Sequence, residues 1–185
     1  MTAFEIRSAR LRIRRWTDAD MPRLFAIYSD PQVTRFMPEL YVTHIDEIVA
    51  RHPRLMASYT RYGAGFGVWA AERLDNGHVV GTVMLKHLPG LEDQLTDDVE
   101  VGWHLGSDSW GQGYATEMAA AIMDHGFDTQ GLERIYALAY LENRASFAVM
   151  RRLGMKCIGR NQGYYGGDKA DVYAIDASAW TTRGS

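Results

Sequence analysis

Residues 99–117 restrict the possible folds more than any other stretch of the chain. Val99, Val101, Trp103 and Leu105 alternate with Glu100, Gly102 and His104. That is the period of a strand that buries one face and offers a carboxylate and an imidazole on the other. Trp110-Gly-Gln-Gly-Tyr-Ala-Thr-Glu117 follows, after which Ala115, Met118, Ala119, Ile122, Met123 and Phe127 recur at helical spacing until Gly131. The stretch therefore runs strand, glycine turn, helix. Gly111 and Gly113 allow the backbone to approach a ligand closely, and a helix starting near Tyr114 turns its unpaired N–H groups and positive dipole end toward it. The pattern predicts a seat for a phosphate-bearing cofactor.

Three phosphate-binding designs place a glycine turn before a helix. The P-loop is excluded, because no GxxxxGK[ST] occurs. A dinucleotide fingerprint needs glycine at position 116, where Thr116 stands, and a buried parallel strand would not carry Glu100 and His104. A nucleotide-binding oxidoreductase is disfavoured for both reasons. The third design rests on a resemblance. Glu100-Val-Gly-Trp-His-Leu105, Trp110 to Glu117, Asn143-Arg-Ala-Ser146 and Leu153-Gly-Met155 resemble, in order and spacing, the acetyl-CoA-binding core of GNAT-superfamily N-acetyltransferases. Within the superfamily the chain most resembles the RimJ/RimL-like branch of ribosomal-protein N-terminal acetyltransferases. That branch's opening pattern is echoed by Leu11-Arg-Ile-Arg-Arg-Trp-Thr-Asp-Ala-Asp20 and Tyr28-Ser-Asp-Pro-Gln-Val33.

The expected fold is α+β: one domain over 1–185, core about 10–176, with a mixed, mostly antiparallel sheet flanked by helices. Strands are expected over Leu11–Trp16, Phe66–Leu74, Val79–His87, Glu100–Leu105, Arg134–Tyr140, Cys157–Arg160 and Asp171–Asp176. Asn76-Gly77 marks a hairpin turn. Helices are expected over Asp18–Ser29 behind a Thr17 cap, Ile45–Tyr59 with a break near Pro53, Tyr114–Phe127 and Asn143–Leu153. At 185 residues and 46% hydrophobic, the chain can bury a sizeable core. A net charge of -3 argues against broad nucleic-acid binding. No apolar run is long enough to span a membrane, and no signal peptide is visible at the N-terminus, so a cytoplasmic protein with no membrane partner is expected. A monomer or a homodimer joined at an open sheet edge fits the expected fold. The one cysteine, Cys157, lacks zinc-spaced partners; it is expected to be a packed thiol, and no metal site is expected.

Acetyl transfer to an amine requires a held thioester, an oriented amine, a proton acceptor and a group to receive the leaving thiolate. By resemblance, backbone amides across Gly111, Gln112, Gly113, Ala115 and Thr116 would cradle the pyrophosphate. The strand end at Leu105 would splay to bond the pantetheine arm, Asn143 would hold that arm, and Arg152, or Arg151 beside it, would meet a phosphate. Glu100 is the candidate general base or amine orienter, the bland alternative being a structural hydrogen bond. His104 shares its face and is expected to be structural. Many superfamily members carry a tyrosine where Met150 stands, and Met150 has no proton to give. The RimJ/RimL-like branch instead has a serine at Ser146, which would stabilise the thiolate if it is not simply a helix-capping residue. By the same resemblance Phe36 and Met37 would wall the acceptor site with the glycine-rich loop after Arg160, whose Tyr164 and Tyr165 could cover a substrate. Glu92, Asp93, Asp97 and Asp98 form either an acidic lure for a cationic amine or a solvated loop. The implied function is direct acetyl transfer from acetyl-CoA to a primary amine, such as a peptide N-terminus or a small amine. A non-catalytic acyl-CoA sensor or interaction module is the alternative.

Overall fold

The computed structural model describes residues 4–181. The chain opens with β1 (Glu5–Arg7), too short to show an alternation in sequence, paired antiparallel to β2 (Leu11–Arg14). Asp20 accepts from the amide and the hydroxyl of Thr17 (2.8 and 2.7 Å), closing a one-turn 3-10 helix ahead of α1 (Met21–Tyr28). The cap bond therefore runs from Thr17 to Asp20. The short α2 (Pro31–Thr34) is capped by Asp30, which accepts from Gln32 N (2.8 Å). Helix α3 (Ile45–Arg61) runs through Pro53 instead of breaking there.

β3 (Gly67–Arg73) and β4 (Val79–Pro89) form the expected hairpin, with Gly77 at φ +72° in its turn. β5 (Leu95–Leu105) begins earlier than expected, so Asp97 and Asp98 lie on the strand and not in the preceding loop. Helix α4 (Tyr114–Asp124) ends short of Phe127, in a π-helical turn over His125–Thr129. β6 (Arg134–Tyr140), α5 (Arg144–Arg152), β7 (Lys156–Arg160), β8 (Ala170–Asp176) and α6 (Ala177–Thr181) complete the described chain.

The eight strands form one sheet in the order β1-β2-β3-β4-β5-β6-β8-β7, antiparallel throughout except for β5 and β6. Strand alternation divides the core between the two faces. Leu11, Ile13, Trp69, Ala71, Val83, Leu85 and Val101 pack with Met118 and Ile122 of α4. Ala70 and Val79 pack on the other side with Trp16, which follows β2, and with Leu24, Ile27 and Ile48 of α1 and α3. Each fully buried large side chain contributes roughly 1.5–3 kcal/mol. The second face also holds an ionic cluster: Glu72 lies 2.5 Å from both Arg12 Nη2 and Arg14 Nη2, and Arg14 Nη1 lies 2.7 Å from Asp20. Burial pushes the Asp20 carboxyl up, but hydrogen bonds from Arg14 and Thr17 outweigh it and leave the group below its ordinary value. Cys157 departs from expectation. It is exposed, because β7 is the edge strand and neither of its faces is covered.

Candidate active site

β5 and β6 pair at Glu100 with Tyr136. Beyond that point each follows its other neighbour, residues 101–105 staying with β4 and residues 137–140 with β8. Parallel strands that touch once and then lean on different partners open a wedge. A cavity of about 1360 Å³ occupies it, reaching Trp103 and Leu105 of β5, Leu138 to Tyr140 of β6, and the turn and first residues of α4. The expected splay at the end of this strand is therefore present.

The turn into α4 has the geometry its glycines permit. Gly111 (φ +75°) and Gly113 (φ +82°, ψ 0°) both adopt left-handed backbone. The helical ladder begins with Glu117 N donating to Gly113 O (3.1 Å), so the preceding helix-start amides have no ladder carbonyl to bond. Glu117 also accepts from Ser8 Oγ and Arg10 N (2.7 Å each) and pairs with Arg10 Nη2 at 2.7 Å, clamping the β1–β2 turn to the helix start. That clamp was visible in sequence only as an acid in the first helical turn. Gly111, Gly113, Ala115 and Thr116 line the cavity. The Gln112 side chain instead points back to donate to Asp108 O (3.3 Å). Trp110 is 46% exposed, and its indole N–H donates to Leu105 O (3.0 Å). That carbonyl is thus already engaged.

On α5, Asn143 Oδ1 accepts from Ser146 N (3.2 Å), so the asparagine caps the helix. Both residues line the cavity, as do Met150 and Arg152. Phe36 and Met37, which follow α2, line its far side.

Glu100 is 6% exposed. Its Oε1 accepts from the Tyr165 hydroxyl and lies 3.2 Å from Nζ of Lys86, the residue opposite it on β4. Tyr165, not Tyr164, reaches the cavity; the Tyr164 hydroxyl donates to Asp98 at 2.5 Å. Burial, and next the neighbouring Glu100 charge, push the Tyr165 phenol far above its ordinary range. Lys86 was not anticipated, and Tyr165 was expected only, together with Tyr164, as a cover over the substrate. The first was legible only as a cation in the hairpin strand beside β5, the second only as one of two adjacent tyrosines among glycines.

His104 Nδ1 shares a 3.2 Å hydrogen bond with Tyr28 Oη, which lies 3.2 Å from Thr82 Oγ1. Burial, and next the Lys86 charge, hold the imidazole down at about 4, so it is neutral at pH 7. Burial also pushes the Tyr28 phenol up to about 12. Glu92, Asp93 and Asp97 are exposed, and Asp98 is tied to Tyr164; none of the four lines the cavity.

A sheet splayed at one parallel pair, with a carboxylate in its floor and a glycine turn and helix start at its mouth, defines a class of acyl-CoA-dependent transferases. The acetyltransferase (GNAT) domain family matches residues 10–156, and the chain belongs to that family. It is therefore an acyltransferase enzyme of the kind that draws on acetyl-CoA. An uncharacterized N-acetyltransferase of Bacillus subtilis (strain 168), YoaA, is 29% identical over 171 residues, covering 90% of this chain and 93% of that protein. The FsC-acetyl coenzyme A-N(2)-transacetylase of Aspergillus fumigatus is 32% identical over 129 residues, covering 68% of this chain and 54% of that protein. Among solved structures, a GNAT-family acetyltransferase from Bacillus anthracis superposes with a TM-score of 0.76 at 24% identity, covering 95% of this chain and 99% of that one. Its likeness concerns the fold.

Proposed function

We propose that this acetyltransferase moves the acetyl group of acetyl-CoA directly to a primary amine in a ternary complex. A peptide or protein N-terminus is the acceptor favoured by the chain's likeness to the RimJ/RimL-like branch. The observation that carries the reading is that one cavity joins Glu100, Asn143, Ser146 and the left-handed glycine turn before α4.

The coenzyme, when bound, supplies an activated acetyl thioester. The cavity suits it: a wedge between strands admits an extended arm, and helix-start amides suit its phosphates. Amides of residues 111–116 and the Arg152 guanidinium would hold those phosphates. Asn143 Oδ1 is used in the helix cap, so its Nδ2 is the donor left for the arm. The Leu105 carbonyl accepts from Trp110 and keeps a second lone pair, so Leu105 and its neighbours at the end of β5 would bond the arm.

Glu100 takes the proton that the amine loses. His104 is the poorer base, because its Nδ1 is engaged by Tyr28. An α-amine, with a reference pKa of about 7.7–8.0, sheds its proton more readily than a lysine near ~10.4, which also favours an N-terminal acceptor. The Ser146 hydroxyl donates a hydrogen bond to the departing sulfur. Phe36 and Met37 wall the acceptor end with Tyr165, and Tyr164 beside it in the loop is fastened to Asp98.

The test is thiol release from acetyl-CoA across N-terminal peptides, lysine peptides, polyamines, free amino acids and aminoglycosides, with Glu100→Gln beside the wild type. Release confined to one amine class, and lowered about 10²–10⁴-fold in kcat by the substitution, is expected for a positioned base. Coenzyme binding with no release across the panel would instead favour a sensor.

A further inference from the structure

We propose that Tyr165 and Lys86 are positioning residues that pin one oxygen of Glu100, Oε1, and thereby present the other, Oε2, to the acceptor amine. The inference rests on Glu100 as the base. Oε1 accepts the Tyr165 hydroxyl and faces Lys86 Nζ at 3.2 Å, and the same ammonium lies 5.3 Å from the centre of the Tyr165 ring. The three groups brace one another from β4, β5 and the β7–β8 loop. Among the described residues no side chain donates to Oε2.

The loop is built to hold Tyr165 there. Tyr165 has φ +48°, a left-handed conformation that a tyrosine adopts only when its surroundings impose it. Asn161 imposes it from below: Nδ2 donates to the carbonyls of Tyr164 (2.7 Å) and Asp168 (3.0 Å), and Oδ1 accepts from the amides of Gly163 (3.2 Å) and Tyr164 (3.0 Å). From the side, the Tyr164 hydroxyl is fastened to Asp98. A carboxylate with one oxygen doubly engaged cannot rotate freely, and rotation is what a base must avoid while an amine approaches. In the proton transfer an N–H bond of the amine breaks and an O–H bond forms at Oε2. Tyr165 and Lys86 keep their own protons.

The experiment takes as acceptor the panel amine that releases most thiol and measures kcat and both KM values for Tyr165→Phe, Lys86→Met and Lys86→Arg, each alone and combined with Glu100→Gln. Losing a hydrogen bond to a charged group should lower kcat about 10- to 100-fold while KM for acetyl-CoA stays unchanged. The double variants should be no slower than Glu100→Gln alone, and Lys86→Arg should recover most of the rate that Lys86→Met loses. Wild-type kcat in Tyr165→Phe, or losses that multiply on the Glu100→Gln background, would overturn the assignment. If Tyr165→Phe fails to fold, as judged by its melting curve, the lysine pair carries the same test. Failure of Glu100→Gln itself to slow the reaction overturns the base reading and this inference with it. A slow Glu100→Gln beside a fast Tyr165→Phe removes the inference alone.

Discussion

Substituting Gly113 by alanine divides a known cost between folding and coenzyme binding. Gly113 caps α4 at φ +82°, ψ 0°, where an L-residue costs about 1–2 kcal/mol. A Cβ built there meets only Arg10 Nη2, at 3.5 Å, an ordinary contact, so the cost is conformational and not steric. Two outcomes share that cost. If the turn keeps its shape, folding bears it all and acetyl-CoA affinity is unchanged. If the turn relaxes to negative φ in the free protein, stability is spared, the helix-start amides point elsewhere, and binding must restore the strained turn. Kd for acetyl-CoA then rises about 5- to 30-fold. In either case the folding and binding losses sum to about 1–2 kcal/mol. Urea unfolding followed by circular dichroism gives the first and titration calorimetry with acetyl-CoA the second. Losses that together fall below about 0.3 kcal/mol would refute the assignment of Gly113 to a strained phosphate turn. Gly113→Asp adds a carboxylate beside the phosphates and should abolish binding while the fold, checked by circular dichroism, persists.

Ser146→Ala should slow thiol release with a milder effect than Glu100→Gln; full activity would reduce the residue to a part of the α5 cap. Glu72→Ala removes the carboxylate shared by Arg12 and Arg14. It should cost about 2 kcal/mol in urea unfolding, less than for a fully buried pair, because Arg12 is 34% exposed and Arg14 retains Asp20. A loss under about 0.5 kcal/mol would match an exposed pair and contradict the burial argument. His104 gives a pH dependence. Its folded value of about 4 lies below its ordinary 6.5, so the unfolded chain takes up the proton first. The stability it confers is complete above 6.5, erodes as pH falls toward 4, and amounts to a loss of about 2 kcal/mol between pH 7 and 5. His104→Gln should flatten that part of the curve, and an unchanged slope would show that the ring is solvated.

Alternation and glycine placement carried much of the architecture in linear form. The β3–β4 hairpin follows from Asn76-Gly77, and the α4 start follows from Gly113, because each depends on backbone freedoms that one or two residues set. The face shared by Glu100, Gly102 and His104 followed from strand period alone, and all three line the cavity. Where local pattern was weak, the expectation slipped. Asp97 and Asp98 look like a loop but lie on β5, in the irregular stretch between its pairings with β4 at Leu95 and Val99, and Cys157 looks packed but lies on an edge strand whose position depends on β8.

By itself the sequence determined most of the strands and the longer helices, that one strand carries a carboxylate on its polar face, and that a glycine turn and helix start follow it. These are properties of adjacent residues, fixed by sterics and by a side-chain period of two or 3.6. Only the tertiary structure decided what surrounds Glu100. Lys86 reaches it across a hairpin register, and Tyr165 arrives from a loop sixty-five residues away in the chain, held by the four hydrogen bonds of Asn161. Their meeting depends on strand order and loop closure, which no local pattern encodes, because the free energy that brings distant groups together comes from burying the whole sheet.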